Sequence, residues 1–125
     1  MERGPVIVAG FGFRSGASAD SLRAALALCD VTPDCVATAE AKAEAAPFVA
    51  LAQALGVSAV AISEDDLKRM PVHTISQASL ARYGTGSVAE AAALAAAGPN
   101  ARLLAVRQIS PDRMATCAIA TGDQI

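Results

Sequence analysis

Aromatic and imidazole side chains are scarce in this sequence. Its 125 residues include no tryptophan, one tyrosine, three phenylalanines and a single histidine, His73. So few rings argue against a site that holds a flat ligand tightly by stacking. One histidine excludes the usual His and Cys metal clusters, and no serine stands at a spacing from His73 that favours nucleophilic catalysis. We therefore expect no metal and no cofactor bound by this chain alone.

Paired cysteines, runs of like charge and long apolar segments are also missing. Cys29, Cys35 and Cys117 form no Cys-x-x-Cys motif, so we expect reduced core residues. The formal net charge is −2 with both signs interspersed, which lacks the basic footprint of a nucleic-acid binder. The apolar stretches are too short for a signal segment or a membrane-spanning helix. These absences predict a cytoplasmic protein with neither nucleic acid nor a membrane as partner.

Small apolar residues dominate the sequence instead, and they fall into alternating strand-like and helix-like segments. Apolar residues make up 54% of the chain, with alanine foremost, which suits helices packed closely on a sheet. The length fits a single domain over residues 1–125. The first half predicts five elements: a strand at Val6–Ala9, a helix at Ala19–Cys29, a strand at Cys35–Glu40, a helix over 41–56 that Pro47 enters early or divides after a first turn, and a strand at Val57–Ile62.

The second half predicts an irregular stretch, a well-defined helix and a hairpin. Residues 71–83 read as a connection with a short helical turn at its end. Gly84 and Gly86 then lead into a helix in which Ser87 and Glu90 have the spacing of a capping box. Two strand-like runs, ARLLAVRQI and RMATCAIA, are separated by a short turn containing proline. The expected fold is α/β in three layers, a mostly parallel sheet with helices on both faces and a C-terminal antiparallel hairpin.

The stretch GFGFRSG, between the first strand and the first helix, predicts a glycine loop that binds an anion. Glycines let a backbone approach a ligand, and a helix N-terminus presents free N–H groups. A dinucleotide loop needs G-x-G-x-x-G, whereas Gly10, Gly12 and Gly16 are spaced one residue too long, although Glu40 stands near the position of the ribose-binding acid. A structural turn and a different anion, paired with Arg14, remain the other interpretations.

Four segments together resemble the CobE/CbiG C-terminal domain family of cobalamin (vitamin B12) biosynthesis. The most specific is GTGSVAEAAAL, which matches the family pattern G-x-x-S-V-x-E-x-A-A-L, and Ser76 stands where the family tends to have a serine. Lys42 matches a family lysine, but the acidic residue expected three positions later is Ala45 here, with Glu44 one place early. The four segments are GFGFRSGASADSL, AEAKAEAAPFVALAQALG, SQASLARYGTGSVAEAAAL and LLAVRQISPDRMATCAIA.

The resemblance implies a protein that binds or hands on a corrin-ring precursor, whose edge carboxylates would meet the two glycine stretches. Arg107, at a position where the family commonly has lysine, is a further cation for those carboxylates. The expected partners are a tetrapyrrole intermediate and a second enzyme of the pathway, and a homodimer is left open. The candidate ligand-binding residues are Gly10, Gly12, Phe13, Arg14, Lys42, Glu44, Ser76, Gly84, Thr85, Gly86 and Ser87.

Two alternatives to a binding protein stay open. Larger family members imply hydrolysis of the ring lactone of a precorrin-5A-type intermediate with loss of acetaldehyde. This chain lacks their N-terminal part, so that activity does not carry over directly, although Glu40 or Glu44 would activate water if its pKa were raised. The first glycine stretch alone also suits a nucleotide-binding regulatory domain, which NAD(P) or ATP would stabilise.

Overall fold

The computed structural model describes residues 5–123, with five strands and five α-helices among them. A single 3-10 turn at Glu40–Lys42 follows the second strand. In chain order the elements are β1 Val6–Phe13, α1 Ala19–Cys29, β2 Cys35–Ala39, α2 Ala46–Leu55, β3 Ser58–Ile62, α3 Glu64–Arg69, α4 Gln77–Tyr83, α5 Val88–Ala97, β4 Arg102–Ile109 and β5 Ala115–Gly122.

One mixed sheet organises the described chain, with strand order β3-β2-β1-β5-β4. Strands β1, β2 and β3 run parallel, whereas β5 is antiparallel to both β1 and β4. The antiparallel hairpin predicted from the sequence is confirmed, and its second strand lies inside the sheet. The burial of the two strands agrees with this order. Strand β5 is buried at nearly every position, while β4 alternates exposed and partly buried residues as an edge strand does.

Alternate residues of β1 belong to two different clusters of buried side chains. Val8 clusters with residues of α3 and α5, and its neighbour Ala9 clusters with residues of α1 and α2. Successive side chains of a strand point to opposite faces, so both faces of the sheet are covered by apolar contacts. Phe11 and Phe48, with ring centroids 6.3 Å apart at 67°, form an edge-to-face pair within the second cluster.

The first glycine stretch is not the loop that the sequence predicted. Strand β1 continues four residues beyond Ala9 and ends at Phe13. Gly10 pairs with both β2 and β5, and Gly12 pairs with β5, as strand residues. A Cβ on Gly10 would collide with the carbonyl oxygen of Ala89 and approach the nitrogen of Ala93 to 2.5 Å. Glycine is required here because α5 packs directly on the strand backbone, which is a tertiary contact invisible in the local pattern.

Several helix boundaries also differ from the sequence expectation, for local reasons. The predicted helix over 41–56 is divided, because Pro47 takes the first turn of α2, where its missing N–H costs little. Residues 77–83, expected to contain only a helical turn, form the complete helix α4 with Ser76 as its N-cap. Helix α1 has the predicted bounds, and Ser18 caps it. No helix in residues 5–123 is long and apolar enough to cross a membrane.

Candidate functional site

An open cavity of about 690 Å³ lies where β1 and β2 end, facing α4 and the β4–β5 hairpin. Its described lining contains five cationic side chains and no aspartate, glutamate or histidine, whereas the chain as a whole is slightly acidic. Apolar side chains of Phe13, Val88, Ile109 and Met114 share this lining. We call this space the cationic cavity, and its five cations are Arg14, Lys42, Arg82, Arg107 and Arg113.

Lys42 is held at one wall of the cationic cavity by the end of β1. Its Nζ donates a 2.9 Å hydrogen bond to the carbonyl oxygen of Phe13 and lies 4.8 Å from the centroid of the Phe13 ring. The same ring stacks on Phe48 at 6.4 Å. Burial, and secondarily the positive charge of Arg82, lower the pKa of the Lys42 ammonium. The lysine is therefore oriented by the fold, and two cations share this wall without a carboxylate between them.

Arg107 approaches the cavity from the edge strand β4. Its Nε is buried and has no hydrogen-bond partner among the described residues. A buried donor without a partner is unfavourable, because it loses its hydrogen bonds to water and gains none in return. A carboxylate that came within reach of this N–H would supply the missing acceptor through a charge-assisted bond.

The hairpin turn places Arg113 and Met114 at the cavity. Arg113 adopts a left-handed backbone conformation with φ of 61°, which is uncommon for a side chain of this size. Asp112 holds the turn, since its carboxylate accepts from Ser110 Oγ at 2.6 Å and from the N–H of Met114 at 3.1 Å. It also accepts from Ser21 Oγ of α1 at 2.6 Å. These bonds from Ser110, Ser21 and Met114 lower the pKa of Asp112.

Glu90 of α5 is fully buried and does not form the capping box predicted for it. Ser87 caps α5 by accepting from the N–H of Glu90 at 3.2 Å, but the Glu90 carboxylate turns to other donors. Its Oε1 accepts from the N–H groups of His73 and Thr74, at 2.7 and 2.9 Å. Its Oε2 accepts from Thr74 Oγ1 at 2.6 Å and from the Arg107 N–H at 2.8 Å. We call this set the Glu90 clamp.

Hydrogen bonding decides the ionisation state of Glu90. Burial by itself raises the pKa of a carboxyl group, but the four bonds from Thr74, Arg107 and His73 outweigh burial and hold the pKa below its ordinary value. Glu90 is thus a buried anion at neutral pH whose charge is satisfied by three residues from two separate segments.

The structure brings five of the eleven predicted site residues to the cavity. Those in its lining are Gly12, Phe13, Arg14, Lys42 and Ser76. The lining does not include Gly10, Glu44, Gly84, Thr85, Gly86 or Ser87.

Most of these six residues have structural explanations. Thr85 and Ser87 are buried, and Gly84 ends α4 in a left-handed conformation at φ of 73°. A Cβ on Gly86 would lie 2.7 Å from the carbonyl oxygen of Thr74, so glycine there permits the close crossing of residues 74–75.

Two cations of the cavity, Arg82 and Arg113, were missed by reasoning from the sequence. Arg82 lies in the segment with the weakest secondary-structure signal, and Arg113 lies in a turn. Both lie in segments that resemble the family, but neither stands at a position that a matched pattern specifies. Strand order brings Arg113 to Arg14, because β5 pairs with β1 along its whole length and carries the hairpin turn with it. Arg82 reaches the cavity from α4.

A mixed α/β domain with a cationic cavity beyond its strand ends is the class that the fold and the site define. The family model described as "Cobalamin synthesis G C-terminus" matches residues 7–120. The chain therefore belongs to the CobE/CbiG C-terminal family of cobalamin biosynthesis, as its motifs predicted. A comparison with curated protein sequences gives no match.

Three solved structures are similar to this chain. CobE, a protein from the cobalamin (vitamin B12) biosynthetic pathway, is 29% identical with a TM-score of 0.84, and the match covers 97% of this chain and 96% of that one. The cobalamin biosynthesis protein chiG from Agrobacterium tumefaciens str. C58 is 36% identical with a TM-score of 0.71, over 94% and 98%. A putative cobalamin biosynthesis protein G homologue from Sulfolobus solfataricus shares the fold at 20% identity and a TM-score of 0.70, over 95% of this chain and 37% of that protein.

Proposed function

We propose that this protein of cobalamin biosynthesis binds a corrin-ring precursor by its edge carboxylates and holds it or hands it on. The observation that carries the proposal is the cationic cavity, in which five cations converge without a carboxylate among the described lining residues. Late corrin precursors are large apolar rings edged with acetate and propionate groups. A cavity that combines cations with apolar side chains complements both parts of such a molecule.

Unsatisfied charge supports an anionic ligand over an empty structural cleft. Cations on a protein surface are commonly balanced by nearby acids, and here the described salt bridges lie elsewhere, on α3 between Lys68 and Glu64 and between Arg69 and Asp66. The partnerless Nε of Arg107 and the lowered pKa of Lys42 both indicate groups that a ligand anion would stabilise. Polycarboxylates engage several such groups at once.

The contacts in this proposal differ from those that the sequence suggested. The sequence motifs pointed to glycine loops and helix N-termini. The cavity offers mainly side-chain cations, joined by Ser76 at the start of α4 and by Val88 at the start of α5. Gly12, Phe13, Arg14, Lys42 and Ser76 stay in the proposed site. Arg82, Arg107 and Arg113 are added to it.

The test is an equilibrium titration with dicyanocobyrinic acid, a corrin with free carboxylates, followed by the absorbance of the ring. The fully methyl-esterified ring serves as the matched ligand without charges. We expect saturable binding of the acid and at least about tenfold weaker binding of the ester, since a tenfold change corresponds to about 1.4 kcal/mol. Equal binding of acid and ester, or no binding of either, would contradict carboxylate recognition.

Variants and product analysis separate the site from its alternatives. Replacing Arg14 and Lys42 together with alanine should weaken binding of the acid at least about tenfold. Glu64→Gln on α3, outside the cationic cavity, serves as the control variant. For the hydrolase, an incubated lactone-containing precursor is recovered for mass analysis, and a ring-opened product with acetaldehyde would establish an enzyme. Stabilisation by NAD(P) or ATP would instead support a nucleotide-binding regulatory domain.

Four finer features belong to the same proposal. The three-layer arrangement is supported by the two buried clusters that use alternate residues of β1. A cytoplasmic location and a second pathway enzyme as partner are consistent with the proposed role in handing on a precursor, and a homodimer stays open. Fractionation, and light scattering with and without dicyanocobyrinic acid, would examine the location and the oligomeric state.

A further inference from the structure

The Glu90 clamp joins the two segments that carry Arg82 and Arg107 of the cavity. Oxygen Oε1 holds the N–H groups of His73 and Thr74, only a few residues before the start of α4 at Gln77, and α4 carries Arg82. Oxygen Oε2 holds the backbone N–H of Arg107 itself. A carboxylate that is completely buried therefore connects one wall of the cavity to the other without lining the cavity.

We propose that Glu90 is a positioning residue, which fixes Arg82 and Arg107 at a common separation so that both reach one polycarboxylate ligand. This inference rests on the proposed function of the cationic cavity. Neither arginine is anchored by a described salt bridge, and Arg107 lies on the edge strand. The pairing of β4 with β5 is irregular between Leu103 and Gln108, so Glu90 supplies an anchor where the sheet ladder is interrupted.

The chemistry of the clamp explains why a carboxylate serves it well. All four groups that bond to the Glu90 side chain are hydrogen-bond donors, and an ionised carboxylate offers acceptors only. In Glu90→Gln the amide must turn its NH₂ group either toward the Arg107 N–H or toward the two N–H groups of His73 and Thr74. One segment loses its acceptor in either orientation, although the side chain keeps nearly the same size.

The experiment measures dicyanocobyrinic acid affinity and backbone hydrogen exchange in the same set of variants. Glu90→Gln is compared with Leu51→Ala, which removes a buried side chain of α2 outside the cavity lining and controls for general loss of stability. Thr74→Val, which removes one of the four bonds, is the milder variant if Glu90→Gln folds poorly. Arg107→Ala is measured alone and combined with Glu90→Gln.

We expect Glu90→Gln to weaken binding about tenfold, with a smaller loss in Thr74→Val and less than about a twofold loss in Leu51→Ala. In the Arg107→Ala background, Glu90→Gln should cost only about threefold, because one of its two targets is already gone. Exchange in Glu90→Gln should quicken at the segment that loses its acceptor, which is either Arg107 or residues 73–74. Equal losses in Glu90→Gln and Leu51→Ala, or an undiminished tenfold loss in the Arg107→Ala background, would overturn the proposal.

Failure of the proposed function gives a different result. If the unaltered protein does not bind dicyanocobyrinic acid, carboxylate recognition is wrong, and hydrogen exchange alone decides the role of Glu90. Faster exchange at one of the two segments in Glu90→Gln, but not in Leu51→Ala, would support the clamp as a link between the walls. Unchanged exchange at both segments would overturn it.

Discussion

Glu90 and the cations of the cavity show two opposite ways of placing charge in one small domain. The Glu90 carboxylate is removed from water and receives four hydrogen bonds from the protein. The five cavity cations face a shared space with no carboxylate among the described lining residues. A charge satisfied by the fold stabilises the fold, whereas charges left without counter-ions are available to a ligand. The difference separates residues that shape the site from residues that would bind.

The largest expected effect comes from removing the Glu90 carboxylate. Glu90→Leu leaves the donors of His73, Thr74 and Arg107 buried without an acceptor, and we expect a loss of about 3 kcal/mol or more in the free energy of unfolding. Urea denaturation measures it. Glu64→Gln, which disturbs only an exposed ion pair on α3, should change the same quantity by less than about 1 kcal/mol. Similar losses in the two variants would mean that the clamp contributes no special stability.

Acid should release the clamp next. The folded-state pKa of Glu90 lies below its ordinary value of 4.5, so its stabilising contribution is complete above about pH 4.5 and is lost as the pH falls through the lowered folded value. The free energy of unfolding should therefore decline more steeply with acid in the unaltered protein than in Glu90→Gln. Asp112 adds to the acid dependence in the same direction, so Asp112→Asn is measured beside it. Parallel curves for Glu90→Gln and the unaltered protein would contradict this account.

Removing a cation from the cavity should do much less to stability. Arg82→Ala relieves repulsion with Lys42, so the free energy of unfolding should change by less than about 0.5 kcal/mol. The pKa of Lys42 should rise part of the way to its ordinary value, because burial, the larger cause of its lowering, remains. Side-chain NMR of the lysine measures the pKa. A marked loss of stability in Arg82→Ala would show that the cations, like Glu90, are structural.

The smallest effect expected is stabilisation by a simple polycarboxylate. Citrate at millimolar concentration should raise the midpoint of thermal unfolding by about 2 °C, since any ligand that binds only the folded state stabilises it. Sodium chloride at matched ionic strength is the control for screening. The rise should disappear in the variant with both Arg14 and Lys42 replaced by alanine. An equal rise in that variant would mean that citrate acts through the solvent and not by binding in the cavity.

Local signals in the sequence predicted a large part of the fold and less of the site. Helix α1 and the β4–β5 hairpin were predicted because caps, periodicity and turn residues act within a few positions. Gly10 was misassigned to a loop, since what requires glycine there is α5, nearly eighty residues later in the chain. Glu90 was assigned to its own helix end, because its actual donors lie on distant segments.

Site residues divide in the same way. Arg14 and Lys42 were both predicted as site residues, and each follows the end of a strand. Parallel pairing of β1 and β2 brings those strand ends to one edge of the sheet. Arg82 and Arg113 join them only through the path of the chain between β3 and β5. No spacing in the sequence encodes that path. Prediction from local patterns therefore found the part of the cavity made by the first two strands.

The position of β5 in the sheet has a consequence for the folding of this protein during its synthesis. Val6 pairs with Gly122, so the two ends of the described chain meet in the middle of the sheet. Until β5 has been synthesised, one edge of β1 is unpaired. The hairpin that carries Arg107 and Arg113 has not formed at that stage. Such distant pairing makes assembly slow and late. A ligand that needs all five cations would then bind only chains in which the whole sheet has formed.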